Sequence, residues 1–315
     1  MTDAARTRAE RLAATPMITV TSRAGRFFSG TFTDLKELWR RRELQGILIR
    51  REMRNRYKDS TLGFLWTLIK PLTMLAIYYF AIGTFLGGAK NIPNFAIFVF
   101  AGLTLWGLYS DILQTSTMSI LGNAALIKKV FLPRELFPLA SVGSAVLNFG
   151  VQLSVLLFAM IVFAQFPLTP DLLYALPAIT LVFIFGTTLA LLLSALNVYF
   201  RDVQYLVEVL VTMLFWASPI VYSFGNVHDA LEGSWIEQIY LANPMTLAVI
   251  AFQRAAWLGA PAVQENLAER GLDSTWAYPA DLDLRLLIAG LVGLVLLWLA
   301  HRLFARLQGN FAQEI

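Results

Sequence analysis

The feature that most constrains this chain is a series of long, almost uninterrupted apolar runs. A bilayer core about 30 Å thick takes about 20 apolar residues as a helix. Six runs meet that length: about 62–86, 95–117, 137–163, 172–198, 204–224 and 284–305. They are apolar on all sides, whereas barrel strands alternate over about ten residues. Of the 315 residues, 57% are hydrophobic and only 15% charged. That is too little charge for a disordered chain or for an ordinary soluble surface. The expected fold is an all-α integral membrane protein with six transmembrane helices.

Charge sets the expected orientation. Fourteen of the 25 Lys and Arg precede residue 62, and Lys128, Lys129, Arg134, Arg201, Arg302 and Arg306 fall on the same side of a six-span topology. Basic loops stay inside, so both termini of a multi-pass membrane protein are expected in the cytoplasm. The loop at about 225–283 is then outside, and it is acidic, with Asp229, Glu232, Glu237, Glu265, Glu269, Asp273, Asp281 and Asp283. The net charge of +4 is thus a topology signal, and no nucleic-acid partner is expected. No signal peptide is expected, and the first span serves as its own insertion signal.

The chain divides into a flexible cytoplasmic tail (1–33), an interfacial amphipathic helix (34–60) and a transmembrane domain (61–310). Within 34–58, Leu35, Leu38, Trp39, Leu44, Ile47, Leu48 and Met53 can share a broad face, and Arg40, Arg41, Arg42, Arg50, Arg51, Arg54 and Arg56 cover the rest. This pattern suits a helix lying on an anionic leaflet. The plainer alternative is a topology anchor.

Several chemistries are excluded. There is no Cys, which removes thiol catalysis and Cys-ligated metal sites. The two histidines, His228 and His301, lie far apart. The phosphate-binding pattern G-x-x-x-x-G-K-[ST] is absent, as are G-x-S-x-G and H-E-x-x-H. No catalytic residue, metal or cofactor is expected on this chain, which is better suited to forming a passage.

Ionisable groups at membrane depth are functional candidates because burying them is costly. Asp111 lies deep in the second run, and Glu208 in the first turn or so of the fifth, near Arg201. Each could pair with a base or line a wet cavity. Lys70 precedes Pro71 in the first run; it either snorkels to the interface or attracts a phosphorylated substrate at a cytoplasmic entrance. Tyr78, Tyr79, Phe80 and Phe85 cluster in the first run, and Phe215, Trp216, Tyr222 and Phe224 in the fifth. They form either an interfacial aromatic belt or a ring that stacks on sugars.

Two further segments are amphipathic or broken. In the cytoplasmic loop, Leu126, Ile127, Val130, Phe131 and Leu132 are apolar beside Lys128 and Lys129, and Pro133 ends the short helix. Such a helix suits a partner's groove or a lipid-facing elbow. Outside, residues 235–258 are apolar but split by Asn243-Pro244, which predicts a re-entrant hairpin with its broken backbone buried in protein.

RYKDSTLGFLWTLIKPL (Arg56–Leu72), NAALIKKVFLPRE (Asn123–Glu135), NVYFRDV (Asn197–Val203), SPIVY (Ser218–Tyr222) and NPM (Asn243–Met245), in this order, resemble the ABC-2 type permeases that export polysaccharides, O-antigens and teichoic acids. The resemblance runs from about residue 35 to about 307. It implies a homodimer enclosing a glycan-wide channel, with two separate ATP-binding cassette subunits that hold ATP and Mg. It implies that residues 123–133, continuing to Arg134 and Glu135, couple to the ATPase. It also implies that spans one and five line the channel with the aromatics named above and that 235–258 form outer gate helices around Asn243 and Pro244. Arg56 and Lys58 would meet a pyrophosphate-linked glycan near the lipid head groups. Two rivals are an ABC-2 exporter of small lipophilic compounds and a membrane glycosyltransferase. The latter needs paired acids, and only Asp281 and Asp283 are close in sequence.

Overall fold

The structure is a computed structural model, and it describes residues 36, 38–56, 60–88, 92–130, 132–269 and 274–315. The expected tail (1–33), Lys58 and Phe131 lie outside the described residues. Among those described, every regular element is helical. In chain order they are α1 (Arg42–Arg56), α2 (Trp66–Tyr78), α3 (Phe95–Met118), α4 (Ala124–Lys129), α5 (Leu136–Val162), α6 (Ala175–Tyr199) and α7 (Val203–Trp216). Then come α8 (Phe224–Leu231), α9 (Trp235–Ala242), α10 (Pro244–Gln253), α11 (Pro261–Glu269), α12 (Leu282–Leu307) and α13 (Phe311–Glu314).

Among the described residues, five helices are long and apolar enough to cross a membrane: Trp66–Phe85, Phe95–Met118, Leu136–Val162, Pro170–Tyr199 and Leu282–Asn310. They match the expected first, second, third, fourth and sixth spans. The first contains Pro71, and beyond Tyr78 it widens into a π-helical turn, Tyr79–Phe85. α3 is the central element, packed against α5, α6, α7 and α10. Its most apolar stretch is 78% buried, against 6% for Trp66–Phe85 and 17% for Leu282–Asn310. The first and last spans therefore present most of their surface outward, to lipid or to another chain.

The expected fifth span, 204–224, is not one helix. α7 stops at Trp216 after 14 residues, about 21 Å and short of a bilayer core. The physical cause is Ser218-Pro219. Proline lacks an N–H and disfavours a helical residue before it. The non-helical backbone that follows is covered: Ser218 and Ile220 are fully buried. Two carbonyls there accept side-chain donors from α10, Ala217 from Thr246 Oγ1 at 3.1 Å and Pro219 from Gln253 Nε2 at 2.9 Å. Irregular backbone survives in an apolar setting only when its polar groups are met in this way. Gly102 on α3 makes the approach possible, since a Cβ there would come within 3.1 Å of Ile220 and 3.2 Å of Gln253.

The 235–258 segment breaks at Asn243-Pro244. Asn243 Oδ1 accepts from the Met245 N–H at 3.0 Å, and Pro244 occupies the first helical position, where its missing N–H costs nothing. α10 is buried from Met245 to Gln253 and continues as a π-helical turn, Arg254–Leu258. The chain then bends by 95° into α11. α9 differs: Trp235 is 71% exposed, and Ile236 and Ile239 are exposed beside it. Arg254 clasps this end. Its guanidinium lies 3.8 Å from the Tyr174 ring centre and 3.9 Å from that of Tyr278, and it bonds Asp171 at 2.7 Å.

α1 packs along α5. Its inward side is Leu44, Leu48 and Ile49, with Leu48 buried in a second, smaller core at the basic end of the molecule. Ile49 sits against Gly143, where a Cβ would clash with its Cδ1. The expected single face divides, because Trp39 and Ile47 are exposed rather than packed with Leu48.

Candidate functional site: a charged cleft at membrane depth

α5 carries Ser144, Asn148 and Gln152, a polar row at four-residue spacing on a mostly apolar helix. That spacing puts the three on one face. Opposite them α3 presents Asp111, seven residues before its end and therefore about 10 Å inward from it. α1 ends on Arg56 directly beside these groups.

Arg56 Nη1 donates to Asp111 Oδ2 at 2.7 Å, and its Nη2 donates to Ser144 Oγ at 3.1 Å. Asn148 Nδ2 donates to the same Asp111 oxygen at 3.0 Å. The pair is about four-fifths buried on each side, at 20% and 19% side-chain exposure. An ion pair taken that far from water holds only when further hydrogen bonds satisfy it, and Ser144 and Asn148 supply them. Gly107 allows Gln152 to approach α3, since a Cβ there would stand 3.0 Å from Gln152 Oε1.

Arg56, Asp111, Asn148 and Gln152 wall a cleft of about 450 Å³ together with Ser60, Trp66, Thr67, Lys70, Pro71 and Thr115. Of the three expected entrance bases, the structure thus brings Arg56 and Lys70 together. Asp111 is the counter-ion of the first, so among the described residues Lys70 adds a positive charge to the wall that this pair does not neutralise. Sequence reasoning flagged Arg56, Asp111 and Lys70 separately. It missed Ser144, Asn148 and Gln152, although their regular spacing within an apolar run was a readable signal.

The aromatic residues separate into two groups. Tyr78 stacks on Phe215 with ring centres 5.7 Å apart, and Phe215 meets Trp106 edge-on at 5.6 Å. Tyr78, Phe215 and Tyr222 pack on the main core, and Tyr222 OH donates to the Trp216 carbonyl at 2.8 Å. Tyr79, Phe80 and Trp216 point out of the chain, at 40%, 57% and 54% exposure. Trp216 lies in an open groove along α7 with Glu208, Val209, Thr212 and Met213. Glu208 is exposed there, and no ion pair joins it to Arg201.

At the basic end, α4 leaves Lys128, Lys129 and Val130 exposed, while Ile127 inserts into the smaller core. Glu135 is buried and Arg134 and Pro133 half-buried. Leu126 packs on the same core as Ile127.

Described residues that are helical in every regular element, with five membrane-length helices and a charged cleft among them, define an integral membrane protein of the multi-span class. Residues 44–257 match the family model of the ABC-2 type transporter, and the chain belongs to that family. It is similar to an O-antigen export system permease protein of Myxococcus xanthus, 29% identical over 282 residues, covering 89% of this chain and 98% of the relative. Two O-antigen export system permease proteins of Klebsiella pneumoniae are 29% and 28% identical over 216 and 214 residues, each match covering 67% of this chain and 79% of the relative.

Proposed function

We propose that the chain is the membrane-spanning subunit of an exporter that carries a lipid-linked polysaccharide of O-antigen type outward across the bacterial inner membrane. Membership of the ABC-2 family supports a transport role without catalysis on this chain, powered by ATP and Mg held on separate ATP-binding cassette subunits. Two copies would enclose the passage, with α2 and α7 facing it and Tyr79, Phe80 and Trp216 offering ring faces to sugars. α4 would meet the ATPase in the cytoplasm, and α9 and α10 would form the outer gate.

One observation carries this reading. The cleft holds Lys70 beside the Arg56–Asp111 pair, at the end of the molecule where the basic residues gather. A cationic recess beside the lipid head groups suits the phosphates that link a glycan to its carrier. Glu208 gives independent support, since a carboxylate exposed on an apolar helix needs water or a partner chain beside it.

The test is a strain lacking the gene, complemented with variants, in which surface polysaccharide is quantified. Lys70→Glu is expected to cut surface glycan about tenfold at normal abundance of the protein, with Lys70→Arg close to wild type. Full surface glycan in the strain without the gene would overturn the export role. Full glycan with Lys70→Glu would remove the cleft from the substrate route.

A further inference from the structure

Beyond α12 the chain does not run free. The helix tightens into a 3-10 turn, Gln308–Asn310, and leads into α13, which packs on the smaller core at the basic end. Phe311 is fully buried there, edge-on to Phe304 at 5.6 Å and against Tyr199 at 6.1 Å. Tyr199 OH donates to the Leu307 carbonyl at 2.8 Å, which fixes the start of the turn. A four-residue helix has no stability of its own, so docking is what forms this hook.

What the hook docks on is the end of the α4 loop. Gln308 Nε2 donates to Glu135 Oε1 at 2.7 Å, and Glu135 is only 7% exposed. A carboxylate buried that far needs a donor. The Arg134 guanidinium lies 5.8 Å from the Phe311 ring centre, within cation–π range. The loop's other end is held from the opposite terminus: Arg51 Nη2 donates to Asn123 Oδ1, and Asn123 Nδ2 donates to the Ser119 carbonyl at 2.8 Å. Between these points Ile127 enters the core that also contains Leu48, Phe304 and Phe311. The exposed face of α4 is therefore mounted on three fixed points, one from α1, one from the core and one from the C-terminal hook.

We infer that the hook, through Gln308 and Phe311, is a positioning element that holds the α4 loop rigid against the start of α5, so that force applied to α4 reaches the spans. The inference rests on the reading of α4 as the ATPase contact. α5 begins at Leu136, immediately after the residue the hook grips. A push on α4 then moves α5, and with it Ser144 and Asn148, instead of being absorbed by a slack loop. Gln308 and Phe311 lie outside the 44–257 family match.

The absence of cysteine makes the test direct. Ala125→Cys places one nitroxide label on the exposed side of α4, and Leu157→Cys places a control label on α5. In the full complex, Phe311→Ala and Gln308→Ala are each expected to raise label mobility at 125 and leave 157 unchanged. Without the labels, the same variants are expected to lower glycan exported per ATP hydrolysed several-fold at unchanged complex abundance. Phe311→Met, which keeps the apolar volume, is expected to restore both. Unchanged mobility at 125, or higher mobility with unchanged export per ATP, overturns the inference. If Phe311→Ala fails to accumulate, Gln308→Ala decides, because it deletes one hydrogen bond and no packing. Lys128→Glu separates the ATPase contact from the hook. If it leaves ATPase retention intact, α4 is not the contact and the coupling role falls, whereas lost retention with silent hook variants overturns the hook alone.

Discussion

The guanidinium of Arg56 meets the carboxylate of Asp111 at 2.7 Å, tying α1 to the most buried span. Removing one partner leaves a charge about four-fifths buried without its counter-ion, which costs more than the pair contributes when intact. Asp111→Ala and Arg56→Ala are each expected to destabilise the detergent-solubilised protein by about 2 kcal/mol, below the 3–5 kcal/mol of fully buried pairs because water still reaches the cleft. The double variant should lose clearly less than the sum. Thermal unfolding in a double-mutant cycle measures this, and strict additivity would show that the two charges do not act together.

Thr246 and Gln253 are expected to matter through the carbonyls they cap. Thr246→Val and Gln253→Leu keep size but leave the Ala217 and Pro219 carbonyls unmet in an apolar setting. Each change is expected to cost about 1–3 kcal/mol. Hydrogen exchange should rise at 217–222 and stay unchanged in α12; an unchanged rate at 217–222 counts against the capping role.

The link between α8 and α9 is expected to depend on pH. His228 Nδ1 lies 2.7 Å from Glu237 Oε1, and that hydrogen bond raises the imidazole above its ordinary 6.5, with Glu232 and Asp229 adding to the effect. A raised folded-state value means the contribution is whole below about pH 6.5 and is lost as pH climbs through the folded-state value. Exchange protection of 224–242 should fall over that window. Glu237→Gln should flatten the dependence, and a slope that survives this variant would assign it to another group.

The aromatic residues are expected to separate by readout. Tyr78→Ala breaks the stack on Phe215 and should lower stability by about 2 kcal/mol, since the ring is only partly buried. Tyr79, Phe80 and Trp216 expose their rings, so their Ala variants should leave stability within about 0.5 kcal/mol. If those three line the passage, long-glycan export falls in the triple variant at normal abundance. Normal export would leave them as lipid-facing rings.

Much of this architecture was legible because an apolar run of more than twenty residues has few alternatives to a spanning helix. The 204–224 run was misleading for a physical reason. Ile220, Val221 and Tyr222 are apolar whether they continue a helix or fill a buried turn, so hydropathy passes through Ser218-Pro219 without registering the break. The cleft was legible only in pieces. Arg56 and Asp111 are 55 residues apart, and their meeting depends on how α1 lies along α5. The hook left the faintest trace, a single Phe311 in the otherwise mostly polar stretch QGNFAQEI (Gln308–Ile315).

The covered turn at 217–222 also dictates an order of events during synthesis. α7 is shorter than a bilayer core, and the Ala217 and Pro219 carbonyls after it accept from Thr246 and Gln253. Those donors leave the ribosome some thirty residues after the groups they satisfy. Residues 203–222 therefore complete their hydrogen bonding only once α10 is in place. Their settling into lipid is expected to await the synthesis of α10.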